Sequence, residues 1–418
     1  YALKHGELKV TKSVTVHGAG QRRTVIDARR DSRVFDVKAP GAEVVLSGLA
    51  VVHGKAPEGG GILNAGSLTL RSVRVRDNLV APPSGGLFGG GIATSGDLAV
   101  KRSAVIGNRA RGDGFGGGIA ASGSPAGPVG SVSIIRSTIS RNQAAGAGGL
   151  LFQSIDPPGD QSVEIRESTF ADNIADRHVT GNSVGGAFYY SVVTNSGSPE
   201  MSLKVTRTTF ARNQAVGGIQ GVGGAVLFEA IANSAATFPL TLVNDTFASN
   251  RAGDSNVRGI AGGLYLLGVF NDPGSSSTQA LNALTIARNR ATGPSGLGGG
   301  VLFEQSGTFA SVFRNSIIAL NHGANGPDCG TPTPTGGHNI EGGTSCDFTT
   351  GGDLQNTDPL LGQLADNGGP TQTLALLRHS PAIGAGNDAT CPATDQRGVP
   401  RPQGGHCDIG AFERKRGE

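Results

Sequence analysis

Two glutamates have the type and spacing to fit a reaction. Glu229 and Glu304 each close an LFE segment that follows a run of glycines, GGAVLFE from Gly223 and GGGVLFE from Gly298. Two carboxyl groups on one surface can divide acid and base work. One protonates a leaving group while the other activates a water. Whether these two share a surface depends on the elements that carry them.

Those elements belong to a repeat. A segment ending in Asn recurs, from VRVRDN at Asn78 through Asn108, Asn142, Asn173, Asn213, Asn250 and Asn289 to SIIALN at Asn321. Between successive Asn segments sits a Gly pair followed by an alternating apolar run, first GGGILNA from Gly59 and last GGGVLFE from Gly298. A third run, such as LTLRS, LAVKR or VEIRE, precedes each Asn segment. Short runs rich in Val, Ile, Leu and Thr predict strands, and no lasting 3.6-residue period predicts helices. Three strands and three turns per period describe one coil of a single-stranded right-handed parallel β-helix. Equivalent residues then stack in columns at about 4.8 Å. The Asn column is expected to bond the turn backbone and itself. The Gly pairs are expected at turns with positive φ and close backbone approach. They are not a phosphate loop, since no GxGxxG opens a helix and no GxxxxGK[ST] occurs. Upstream of Asn78 there is room for about two more coils. The division expected is a solenoid over 1–323, then the last coils and a cap over 324–418.

Composition agrees with an elongated solenoid. The chain has 418 residues, beyond the usual limit of a single core. It has 69 Gly but no collagen period, and 37% hydrophobic residues, too many for a disordered chain. The formal charge is only +3, and Arg414-Lys415-Arg416 is the one basic run, so nucleic acid is not an expected partner. No apolar stretch is long enough to span a membrane as a helix. The four cysteines, Cys329, Cys346, Cys391 and Cys407, lie in the last quarter and lack any CxxC pair. Two disulfides in an oxidising compartment are therefore expected over a zinc site, with sequential pairing favoured among three connectivities. Tyr1 falls within a coil, which gives the expectation that an N-terminal segment was removed.

The columns can be numbered from the residue after each Gly pair. Position two then runs Ile62, Ile92, Ile119, Leu151, Phe188, Val226, Tyr265, Val301 and reads as core. By alternation positions three and five face outward. Position three becomes an apolar stripe over Phe152, Tyr189, Leu227, Leu266 and Leu302. Such a stripe calls for a ligand groove, a second copy of the chain, or cover by a loop. Position five holds Ser154, Ser191, Glu229, Gly268 and Glu304. Glu229 and Glu304 are then two coils, about 9.6 Å, apart. Inverting glycosidases separate their carboxyls by about 6.5–9.5 Å. Gly268 between them would keep the floor open. A lyase instead needs a base and a cation for a uronate. Tyr189, Tyr190, His178, Arg177 and Arg258 offer these, and His178 and Arg258 sit in the polar loops DRHVTGNSV and GDSNVRGI. Phe152, Tyr189 and Tyr190 would supply aromatic platforms for a sugar. The bland alternatives are duplicated surface glutamates and solvated loops. A Ser triad has no support, since there is no GxSxG, and no metal site or cofactor is indicated, since Asp-rich calcium repeats are missing.

GGA or GGG segments alternating with FxxN segments, here Phe170-Asn173, Phe210-Asn213 and Phe247-Asn250, resemble the repeats of polymorphic outer-membrane proteins. The C-terminal stretches GGHNIEGGTSC, TDPLLGQLADNGGPTQTLALLRHSPAIGAG and CPATDQRGVPRPQGGHCDIGAFE resemble the "choice-of-anchor Q" type of bacterial surface protein. The resemblance implies an exported bacterial β-helix and no defined activity. It departs at the end, where RKRGE follows Glu413 in place of a hydrophobic anchor. Asp395, Arg397, Asp408 and Glu413 within it are expected to pin the cap. The function expected is binding, with depolymerisation, of an extracellular polysaccharide or cell-surface glycan by a hydrolase or lyase groove. The alternative is a non-catalytic adhesin.

Overall fold

The computed structural model describes residues 1–81, 89–123, 129–178 and 181–417. Among them there is no helix. Short strands pair in parallel with their equivalents one period on, giving a β-solenoid. The Gly-pair strands form a ten-stranded sheet from Leu8–Val10 to Val301–Ser306. The runs that follow form a ten-stranded return sheet, from Val14–His17 to Phe309–Arg314. The Asn segments form an eleven-stranded sheet from Val25–Asp27 to Ile340–Glu341. Beside these three expected stacks runs a fourth of nine strands, from Lys55–Ala56 to His322–Gly323. Most of its strands are two residues long and sit directly after the Asn, too short to show as a run in sequence.

Single residues in the left-handed region turn the chain between sheets. Before the Asn segments they are Ser72, Arg102, Arg136, Glu167, Arg207, Asn244, Ala283 and Asn315. Before the Asn itself they include Asp77, Arg141, Asp172, Arg212, Ser249, Arg288 and Leu320. Few non-Gly residues adopt this conformation without support, and here stacking supplies it. At the third corner the motif is a triplet rather than a pair. Its first place has positive φ and holds Gly in most coils, but Ala147 and Ala261 in two. Its second place is always Gly, because a Cβ there would meet the next coil's backbone. At Gly224 that atom would lie 2.3 Å from the Gly262 carbonyl oxygen.

The Asn column is a continuous buried ladder. Each amide from Asn78 to Asn289 donates to the Oδ1 of the next Asn at 2.9–3.0 Å. Each Nδ2 also donates to a carbonyl of the coil before, as Asn213 does to Phe170 at 2.9 Å. The last rung, Asn321, donates to Asp328 Oδ1 at 3.0 Å. Burial pushes the Asp328 carboxyl above the usual range. A shorter column of Ser103, Ser137, Ser168, Thr208 and Asp245 accepts backbone N–H groups in the same way.

Inside the coils, apolar residues of facing sheets meet. In the middle of the solenoid they become aromatic stacks. Phe152, Tyr190 and Phe228 stack with centroids 5.3 and 5.0 Å apart. Phe170, Phe210 and Phe247 do so at 5.2 and 4.8 Å.

Both disulfides join the cysteines in sequential order, Cys329–Cys346 and Cys391–Cys407. The segment they staple also turns back along the flank of the Asn-segment sheet. There Gln396 accepts from Thr246 and donates to Thr209, which in turn donates to the Gln372 carbonyl. Asp395, Arg397, Asp408 and Glu413 are buried beneath it. Arg397 donates to Asp395 at 2.8 Å and lies 3.6 Å over the Phe412 ring.

Candidate functional site

The register of the Gly-pair sheet places Glu229 and Glu304 in one column. Ser191 pairs with Glu229, Glu229 with Leu267, and Leu267 with Glu304. The glutamates are thus two coils apart on the outer face, about 9.6 Å between backbones. Glu229 is half-buried and Glu304 is exposed.

Counting from the Gly pair slips by one residue in two coils. Where Ala147 and Ala261 take the first place of the triplet, the visible pair occupies its second and third places. The core column is therefore Leu150 and Leu264 at those coils, not Leu151 and Tyr265. Leu267, rather than Gly268, lies between the glutamates. The same slip turns Phe152 inward, where it is 1% exposed. Tyr190 is inward as well, fully buried, with its hydroxyl donated to the Met201 carbonyl. Neither ring can form an outer platform for a sugar.

The outward column is Leu151, Tyr189, Leu227, Tyr265 and Leu302. It is not an exposed stripe. The enlarged loops before the Gly triplets lay down a small sheet of Ser183–Val184, Gln220–Val222 and Arg258–Ile260 beside it. Val184, Val222, Ile260 and Leu297 pack on Tyr189, Leu227, Tyr265 and Leu302. The chain itself covers the surface that a second copy would have used.

Two tyrosines emerge from this cover to meet the glutamates. Tyr189 donates its hydroxyl to Glu229 Oε2 at 2.5 Å, and Ser191 donates to the same oxygen at 2.9 Å. Tyr265 donates to Glu304 Oε2 at 2.5 Å. Each tyrosine stands one coil before its glutamate, so both carboxyls lean the same way and keep their two-coil separation. Burial, and then the neighbouring carboxylate, raise both phenols above their ordinary range. They stay protonated at neutral pH and act as donors. Tyr265 was hidden by the slip in counting. It becomes visible once the triplet, not the pair, sets the register.

The other expected residues lie apart from this pair. His178 is exposed, 3.6 Å from Asp176. Arg177 pairs with Asp113 at 3.4 Å and lies 5.5 Å from the Phe115 ring centroid. Arg258 opens the last strand of the covering sheet and donates to the Ser295 carbonyl at 3.2 Å. Among the described residues no group of His, Cys, Asp and Glu is arranged to hold a metal. No helix among them is long and apolar enough to cross a membrane. The chain matches no protein-family model, no curated protein and no solved structure.

Proposed function

We propose that this chain is an extracellular polysaccharide-binding β-helix that hydrolyses its polymer with inversion at Glu229 and Glu304. The observation that carries this reading is the shared outer column. Two carboxyls are held by phenol donors two coils apart, near the upper limit for an inverting pair and far beyond a retaining one. Glu304, the exposed member, is suited to exchange protons with solvent and a sugar oxygen. Glu229, fixed by Tyr189 and Ser191, is suited to orient the water. Hydrolysis is favoured over a lyase because Tyr189 and Tyr265 are held protonated, and Arg258 and His178 have partners elsewhere.

A second reading, a non-catalytic adhesin, has its own support. Leu267 fills the place between the carboxyls, and the small sheet closes one side. Both readings sit within a right-handed solenoid of an exported bacterial surface protein. Parallel crossover connections are right-handed in nearly all proteins. The disulfides fit an oxidising compartment. The three-strand coil remains our description of its main faces, and 324–418 our boundary for the cap.

The test is a product screen on neutral and acidic polysaccharides, reading reducing ends and unsaturated uronide absorbance together. New reducing ends that vanish in Glu229→Gln and Glu304→Gln support inverting hydrolysis. Unsaturated uronide would replace it with a lyase. Polymer bound intact by folded protein would establish the adhesin.

A further inference from the structure

A large cavity lies on a different face, where the Asn ladder meets the fourth sheet. It is an open groove of about 980 Å³. Two columns line it. In the fourth sheet Arg251, Arg290 and His322 occupy successive rungs. At the corner just before the Asn, Arg212 and Arg288 stand two coils apart.

The charge of this groove is not balanced from within. Asp172 is its one lining carboxylate, and Arg212 holds both its oxygens at 2.8 and 3.1 Å. Arg288 donates to the Leu361 and Gly362 carbonyls at 2.9 and 2.8 Å, which neutralises nothing. Arg251 gives Nη2 to Gln214 at 2.8 Å, while its Nε is buried without a partner. Arg290 and His322 are exposed. Like charges on adjacent rungs repel, and the fold does not need them there. Elsewhere on the same column it accepts Leu79, Gln143, Ile174 and Gln214.

We infer that this groove binds a linear acidic polysaccharide, its carboxylates or sulfate esters taken in turn by Arg251 and Arg290. The guanidinium fork matches either group with two hydrogen bonds. Rungs about 4.8 Å apart offer a periodic row of cations to a periodic row of anions. A nucleic acid fits less well, because no Phe, Tyr or Trp lines the groove to stack a base. The site is separate from Glu229 and Glu304, which stand on the Gly-pair sheet, and it does not rest on hydrolysis there.

Titration calorimetry of the whole chain tests it with polygalacturonate, dextran sulfate and neutral dextran at two salt concentrations. Binding of one or both polyanions, weakened by salt, is expected, with no binding of dextran. Arg251→Ala/Arg290→Ala should lose about tenfold or more, as removal of charged hydrogen bonds predicts. The exposed single change Arg290→Glu guards against a folding defect and should also weaken binding. Glu229→Gln/Glu304→Gln should bind as the parent does, which separates this site from the proposed hydrolytic one. Affinity within about twofold of the parent in both arginine variants would overturn the proposal. So would equal binding of neutral dextran, or a single-stranded oligonucleotide that binds more tightly than either polyanion.

Discussion

The Gly-pair strands at residues 62–122 are three or four residues long, whereas those at 150–306 have six or seven. Both regions keep the small triplet, the left-handed corners and the Asn ladder. Two features of the wide coils have no counterpart among the described residues of the narrow ones. One is the turn after the Gly-pair strand, where Asn195, Asn233 and Asn271 form an exposed ladder of their own. The other is the loop before the triplet, which builds the covering sheet. The inner column changes with the width, from Thr94 and Ala121 to Phe152, Tyr190 and Phe228. The ladder thus acts as a fixed ruler, and surface chemistry grows by insertion without disturbing it. The tyrosine–glutamate pairs occur only in the wide coils.

Five substitutions would break or sharpen this contrast. Tyr190→Ala removes the middle ring of a stack and should cost about 3–5 kcal/mol by chemical denaturation. The same column in the narrow coils carries Ala121, so no equivalent change exists there. Asn108→Ala and Asn213→Ala each strand a buried amide and a backbone N–H of the preceding Asn, costing about 3 kcal/mol. Near-equal losses would mark the ladder as common to both regions, and a loss in only one would refute a shared ruler.

Asp245→Ser should instead stabilise by about 1–2 kcal/mol at neutral pH. Asp245 is fully buried, its Oδ2 has no partner, and the three nearest serines of its column do its work with a hydroxyl. Burial raises its carboxyl well above the ordinary range. Its contribution is therefore most favourable below the unfolded carboxyl range, near pH 4, and is lost as pH rises through the raised folded value. Denaturation midpoints from pH 4 to 8 should fall less in the serine variant than in the parent. Glu229→Gln, at a half-buried surface site, should move stability by about 0.5 kcal/mol or less. Its effect belongs to the polysaccharide assay. A large loss of stability would make the Tyr189–Glu229 contact structural.

Much of the fold was legible because stacked columns repeat their chemistry. Asn recurs where an amide must both donate and accept, and Gly recurs where coils touch backbone to backbone. The cysteines, close in sequence and few in number, also pointed to their pairing. Two things escaped. Ala147 and Ala261 tolerate positive φ, so the visible Gly pair shifted its place and carried Phe152 and Tyr265 to the wrong face. Tyr190 differs: its residue type suits a sugar platform, but its place in the alternation turns it into the core. The cover over Leu227 and Leu302 depends on how long loops fold back, which no periodicity records. The arginine groove was legible in principle. Its residues flank the Asn of successive repeats, and aligning those flanks brings Arg212, Arg251, Arg288 and Arg290 together.

The ladder's last rung carries a consequence for how many coils the molecule can have. Every side-chain amide from Asn78 to Asn321 gives one of its two N–H groups to a side-chain oxygen of the later rung and none to that of the earlier rung, so the row has a head and a tail. Asp328 receives both donors of Asn321 on one oxygen and the Gly342 N–H on the other. A carboxylate has no hydrogen to pass on. The row therefore ends by chemistry as well as by chain length, and a neighbouring molecule finds at that end no amide with which to continue the count.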